Sequence, residues 1–318
     1  MKKTIIVSGS LAYDRIMDFS GYFHEHILPE KIHMLNVCFQ VNGVKEKFGG
    51  TAGNIAYALM LMGQKPLISA TIGRDYHRYF DWLDMNGISR DLIRIVDDEL
   101  TACAYITTDR ADNQITGWNP GAMNRRSALD FDRFDPKDTI VIISPGNLED
   151  MIDYARECKA RSIEYIFDPG QSLPMLEPAN LLEAIDGSSI LISNDYELDL
   201  IMKKTGVARQ DLVRRTGAII TTLGELGSRI VTLQGETGIP TAKAREVIDP
   251  TGAGDSYRGG LISGLVQGRE ISQCARLGSV CASFAVECYG TQEYRFCSEE
   301  FEERLKICGD VCSGISEG

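Results

Sequence analysis

Short, β-rich apolar runs alternate with helical stretches over most of this chain, and that alternation narrows the fold to a layered α/β one. Residues 4–10 (TIIVSGS) read as a buried strand closed by glycine and serine. Further strands are expected at 67–71, 139–143, 165–167, 190–192, 218–222 and 229–233. Helices are expected at about 53–63, 148–160, 178–185 and 195–204, then at 253–267, 271–288 and 298–307. Strands with helices between them build an α/β fold with a mainly parallel central sheet. Such sheets bind ligands outside the carboxyl ends of their strands, which is where the glycine-rich loops of this chain fall. Two segments break the alternation, at about 15–48 and 101–118. Both are extended and loop-rich, and together they are assigned to a small β-sheet lid. No linker, repeat or low-complexity tract divides the chain, so residues 1–318 are read as one domain with a discontinuous lid.

Composition matters mainly for what it excludes. The formal net charge is −12, whereas a nucleic-acid coat is normally basic. The same acidity disfavours anionic membrane surfaces, and no apolar run is long enough to span a bilayer. The start of the chain reads as a first strand rather than a signal peptide. With nine cysteines and no Cys-x-x-Cys pair, free thiols and a cytoplasmic location are expected. Cys274, Cys281 and Cys288 lie seven apart and are read as small hydrophobes on a buried helical face rather than as a metal or redox cluster.

The motif with the most chemistry is Asp249-Pro-Thr-Gly-Ala-Gly-Asp255, continuing as Ser-Tyr-Arg-Gly-Gly. Gly252, Ala253 and Gly254 permit a tight turn into a helix, whose first amides lack internal partners and point at any bound anion. Charge builds on the oxygens of a transferring phosphoryl group, so those amides stabilise it. Asp255 in the same turn can take the proton of an attacking hydroxyl. A second glycine-rich loop, Gly49-Gly50-Thr-Ala-Gly-Asn54, allows close approach of a ligand to the backbone. It carries no Lys-Ser/Thr and is therefore not a Walker A loop. Asn194-Asp-Tyr-Glu197 follows an expected strand; Glu197 could organise Mg²⁺ through water, or the segment could simply cap a helix. Thr222-Leu-Gly224-Glu-Leu-Gly227 lies between two expected strands, as a nucleotide-facing loop or a plain hairpin turn. Asp14, after Gly9-Ser10, has the character to grip adjacent sugar hydroxyls, or to be an ordinary loop carboxylate.

Taken together, these motifs resemble the ribokinase, or PfkB, family of carbohydrate and nucleoside kinases, from Gly9 to about Phe296. Both family signatures are present, GGTAGNIAYALMLMG and DPTGAGDSYRGG, with NDYE and TLGELG between them. Within that family the blocks GSLAYDRIMDFSGYF, HILPEKIHMLN, NQITGWNPGAM, FDPGQSLPML and YGTQEY resemble bacterial adenosine kinases. The resemblance implies a three-layer α/β/α domain with a β-sheet lid, and transfer of the γ-phosphate of ATP·Mg²⁺ to the 5′-hydroxyl of adenosine, giving AMP and ADP. It implies Asp255 as base and Gly252, Ala253 and Gly254 as anion hole. Ser10, Asp14, Gly49, Gly50 and Asn54 match ribose-holding positions, Trp118 a base-stacking position and Gln171 a substrate-side polar position. Asn194, Thr222, Gly224 and Gly227 match the ATP side, and Glu197 the metal side. A K⁺ site near Asp249 and Gly290 and a homodimer formed through the lid are implied on the same ground. Thr-Ala-Gly-Asn after the two glycines departs from the Lys-Gly-Ala-Asn usual in ribokinases, which favours a nucleoside over a pentose. A sugar kinase acting on ribose or fructose is the alternative.

Overall fold

The computed structural model describes residues 3–313. Its strands, in chain order, are β1 (Thr4–Ser8), β2 (Ala12–Phe19), β3 (Val41–Gly49), β4 (Pro66–Gly73), β5 (Ile93–Val96), β6 (Ala102–Thr108) and β7 (Gln114–Asn119). They continue as β8 (Thr139–Ile143), β9 (Glu164–Phe167), β10 (Ile190–Asn194), β11 (Ala218–Thr222), β12 (Ser228–Thr232) and β13 (Gly235–Ile239). Nine of them form one sheet in the order β13-β12-β11-β10-β9-β8-β1-β4-β5. Its pairs are parallel from β5 through to β11. The β11–β12 and β12–β13 pairs are antiparallel.

The apolar runs of the central strands are continuous because both faces are covered. On β1, Ile5 and Val7 enter one core cluster and Ile6 the other; β8 divides in the same way, Ile140 and Ile142 against Val141 and Ile143. The first cluster packs against helices Thr51–Leu61, His77–Met85, Ala253–Val266 and Ile271–Ala285, through Ile55, Leu83, Leu261 and Ala275 among others. The second packs against Leu148–Arg161, Pro178–Ile185 and Asp195–Thr205, through Met151, Leu181 and Ile201. The result is the expected three-layer arrangement.

The segments that broke the alternation form a second sheet, in the order β3-β2-β6-β7. Between β2 and β3 the chain makes only a short helix, Phe23–His26, and a 3₁₀ turn, Pro29–Met34. Asp14 therefore lies inside strand β2, opposite Lys47 and Ala104, and not in a loop trailing β1. The helix expected to run to 288 stops at Ala285. The Val286 carbonyl instead receives the amides of Ile248 and Asp249, which ties the helix end to the strand-like approach to the Asp249 loop. Cys274 and Cys281 are buried in the core, while Cys288 falls beyond the helix and is half-buried. Cys38, Cys103, Cys158, Cys274, Cys281, Cys288 and Cys297 are free thiols, and the side chain of Cys312 lies outside the described residues.

Candidate active site

Gly9 and Ser10 after β1, Pro145 after β8, Asp168 after β9, Asn194 at the end of β10 and Thr222 at the end of β11 all sit at carboxyl ends of the parallel strands. The first crevice lies where the chain turns from β1 toward β4 on one side and β8 on the other, the switch point at which such sheets bind ligands. Two helices begin there, each from a glycine with positive φ: Gly50 (+88°) and Gly252 (+78°). Any side chain would be excluded sterically as well. A β-carbon at Gly50 would meet the Ser10 carbonyl at 2.5 Å, and one at Gly252 the Thr291 side chain at 2.8 Å.

No side chain caps the helix Ala253–Val266; the Ala253 amide donates to the Pro250 carbonyl at 3.2 Å, which leaves the Gly254 and Asp255 amides available to an anion. Asp255 is in that turn. Burial pushes its carboxyl up to about 6, aided by Asp168 and Glu197 and opposed by Arg258 and by the Asn54 hydrogen bond. Asn54 Nδ2 donates to Asp255 Oδ2 at 2.8 Å. The Asn54 Oδ1 is occupied: Thr291 Oγ1 lies 2.8 Å away and Gln292 Nε2 donates at 3.0 Å.

The sequence reading gave no role to Arg258 or Asp168, yet both line the cleft. Arg258 donates through Nε and Nη2 to the two Asp168 oxygens, at 2.5 and 2.8 Å, and through Nη1 to the Gly254 carbonyl at 2.9 Å. The pair is nearly dry, with side-chain exposures of 7% and 3%. It joins the end of β9 to the glycine turn. The signal was present in the sequence as Arg258 three residues after Asp255 and as Asp168 in FDPGQS.

Asn194 and Glu197 form a reciprocal cap at the start of Asp195–Thr205. Asn194 Oδ1 accepts from the Glu197 amide at 2.7 Å, and Glu197 Oε2 from the Asn194 amide at 2.8 Å. Glu197 Oε1 stays outside this exchange. Burial raises the Glu197 carboxyl, with Asp168 and Asp195 adding to the effect. A cation would relieve that crowding of negative charge. Thr222 and Gly224 line the same cleft; Gly227 (φ +91°) sits behind them, against the Ile239 carbonyl.

The remaining expected residues divide into two groups. Asp14 is half-buried, its carboxylate makes no hydrogen bond among the described residues, and it is pushed up to about 6 by burial and by Asp249. Gly49 faces it: a β-carbon there would stand 2.7 Å from Asp14 Oδ2. Ser10, by contrast, is buried, and its Oγ accepts from the Thr51 amide at 3.1 Å. Trp118 stands on the edge strand β7, 48% exposed. Gln171 lines the cleft beside Gly170. Asp249 accepts the Thr251 amide through Oδ1 and the Gly290 amide through Oδ2, tying two loops together.

The cleft has a volume of about 420 Å³ and brings together Gln171, Asn194, Glu197, Thr222, Gly224, Gly252, Gly254 and Asp255. Ser10, Asp14, Gly49, Gly50, Asn54, Trp118, Gly227 and Ala253 are not on its wall; the first four lie around the junction with the small sheet. The family model for pfkB family carbohydrate kinases matches residues 9–295. A nucleoside kinase of Methanocaldococcus jannaschii is 34% identical over 282 residues, covering 87% of this chain and 91% of that protein. The solved structure of a Burkholderia thailandensis nucleoside kinase in complex with inosine superposes with a TM-score of 0.84 at 37% identity, covering 96% of this chain and 97% of that one. A ribokinase of Bacillus subtilis is 24% identical over 262 residues, covering 81% of this chain and 87% of that protein.

Proposed function

Because the chain belongs to the pfkB family of carbohydrate kinases, phosphotransferases with an alcohol acceptor, we propose that it is an ATP-dependent nucleoside kinase acting on a 5′-hydroxyl, with adenosine as the acceptor. The observation that carries this reading is Asp255, buried in the first turn of an uncapped helix, hydrogen-bonded by Asn54, and opening on a cleft of strand-end polar groups. Nucleoside kinases at 34% and 37% identity over most of their length support the acceptor class.

In this reading the ionised Asp255 takes the 5′-hydroxyl proton as the oxygen attacks. The Gly252-Ala253-Gly254 turn forms the anion hole, with the Gly254 and Asp255 amides facing the phosphoryl oxygens. Asp14 grips two ribose hydroxyls, with Gly49 and Gly50 keeping the backbone close and one Asn54 N–H left for the ligand. Ser10 contributes through the loop it anchors. Asn194, Thr222, Gly224 and Gly227 border the ATP phosphates, and Gln171 lies at the substrate side of the same wall. The small sheet acts as the lid over the acceptor.

The site suits Mg²⁺. A single carboxylate, Glu197, with an oxygen outside its capping contact and acidic neighbours, matches an ion that keeps several waters and binds mainly to phosphate. Bound there, the ion would neutralise charge on the β- and γ-phosphates. Near the K⁺ position that the family resemblance implies, both Asp249 oxygens already accept backbone amides, so this carboxylate serves first to join two loops.

A panel of adenosine, inosine, ribose and fructose, read by ADP production, tests the acceptor. Adenosine is expected to turn over and the free sugars to lag far behind; turnover of sugars with no nucleoside active would refute the reading. Run on Trp118→Ala, the same panel should show the adenosine KM rising roughly fivefold, the equivalent of ~1 kcal/mol of stacking. A collapse of kcat at constant KM would remove Trp118 from the base site.

Both edges of the small sheet, β3 and β7, are open, and Val44 and Ile115 are exposed on them. A homodimer paired through this sheet is expected, and sedimentation at the monomer mass would count against it.

A further inference from the structure

Gln292 belongs to the YGTQEY block and has no part in the roles given so far. It is 2% exposed, and both its amide oxygen and its amide nitrogen are hydrogen-bonded. Trp82 Nε1 donates to Gln292 Oε1 at 2.8 Å. Gln292 Nε2 donates to Tyr79 Oη at 2.9 Å and to Asn54 Oδ1 at 3.0 Å. Tyr79 Oη donates in turn to the Gly49 carbonyl at 2.7 Å.

The direction of this chain is set at both ends. An indole N–H can only donate, and a carbonyl can only accept. Trp82 therefore requires the oxygen of Gln292 on its side. Gly49 requires Tyr79 to donate to it, so Tyr79 must receive from the nitrogen of Gln292. Both ends demand the same amide orientation. The second N–H of Gln292 then meets Asn54 Oδ1, which turns Asn54 Nδ2 toward Asp255. Asp255 is left facing a donor, which favours the ionised carboxylate over the protonated acid.

We propose that Gln292 is a positioning residue for Asp255: pinned by Trp82 and Tyr79, it locks the Asn54 amide with its N–H side toward the carboxylate and so keeps Asp255 ready to accept a proton. The inference rests on Asp255 being the base. It adds that the readiness of the base is set from the region beneath the small sheet, since Gly49 ends β3 and Trp82 stacks on Phe48 at 5.1 Å. The charged groups around Asp255 are Arg258 on its own helix, Asp168 after β9 and Glu197 at the start of Asp195–Thr205. None of them contacts Gln292, so a change there leaves their charges in place.

The test is the pH dependence of kcat in Gln292→Met, which cannot donate, and in Trp82→Phe, which keeps an aromatic ring against Phe48 but removes the fixed donor. In Gln292→Met the acid limb should move up by about one pH unit, giving roughly a fivefold loss at pH 6, with the acceptor KM little changed. Trp82→Phe should move the limb the same way by less, and it decides the matter if the first variant does not fold. Lower melting temperatures with the acid limb unmoved would reduce Gln292 to a packing residue and overturn the proposal. Asp255→Asn, measured alongside, separates the two levels: if that variant stays active the base assignment fails, whereas if it is inactive and the limbs do not move, only the role of Gln292 fails.

Discussion

Asp255→Asn should lower kcat by about two to four orders of magnitude, the range general-base catalysis supplies, while ATP binding survives. The substitution preserves shape and an oxygen for Asn54 Nδ2 but removes the proton acceptor. It should also make the protein melt higher. Burial raises the folded-state carboxyl from 3.8 to about 6, so the folded chain holds this proton more tightly than the unfolded chain does. Stability from this group is therefore greatest below the unfolded value and is lost as pH rises from about 4 to 6. At neutral pH the buried charge is a cost, which asparagine removes. The wild-type acid limb of kcat should lie near 6 for the same reason. Unchanged turnover would end the base assignment; loss of turnover with a lower melting temperature would contradict the burial account.

The second large effect is expected at the Arg258–Asp168 pair. Arg258→Met strands a buried carboxylate, and Asp168→Leu strands a buried guanidinium; each should cost about 3–5 kcal/mol in urea unfolding. The double variant Arg258→Met/Asp168→Leu removes both charges and should recover much of that loss, because an apolar replacement of a dry pair is often nearly neutral. Activity should not recover. Arg258 also holds the Gly254 carbonyl and offsets the burial of Asp255, and neither task passes to a methionine. A double variant as unstable as the sum of its parts would show that the pair is not energetically coupled. A double variant with full activity would show that it only braces the fold.

The central layers were legible in the sequence because burial on both faces writes long apolar runs, as in TIVII of β8 and AII of β11. The glycine turns were legible because crowding and positive φ leave glycine as the residue that fits at Gly50 and Gly252. What escaped was polar and long-range. β2 and β6 pass from buried to half-buried positions without alternating, and β7 is exposed throughout, so their pattern is weak. Arg258 and Asp168 stand 90 positions apart, and Gln292 and Asn54 238 apart. No local rule announces such partners. Asn194 and Glu197 were the reverse case: their spacing spelled a helix cap, and the cap forms, on the rim of the cleft.

The small sheet enters the chain as two excursions, one leaving after β1 and returning before the helix Thr51–Leu61, the other leaving after β5 and returning before β8. None of its four strands belongs to the nine-stranded sheet. On the proposed reading, the acceptor contacts of Asp14, Gly49 and Trp118 are thus carried on stretches of polypeptide separable from those that handle phosphate. A lineage could rewrite the first by drift in two insertions while the second stayed under constraint from the core. The same partition offers an engineer a graft: exchange residues 12–49 and 102–119 together, and the substrate preference should travel with them while the chemistry stays behind.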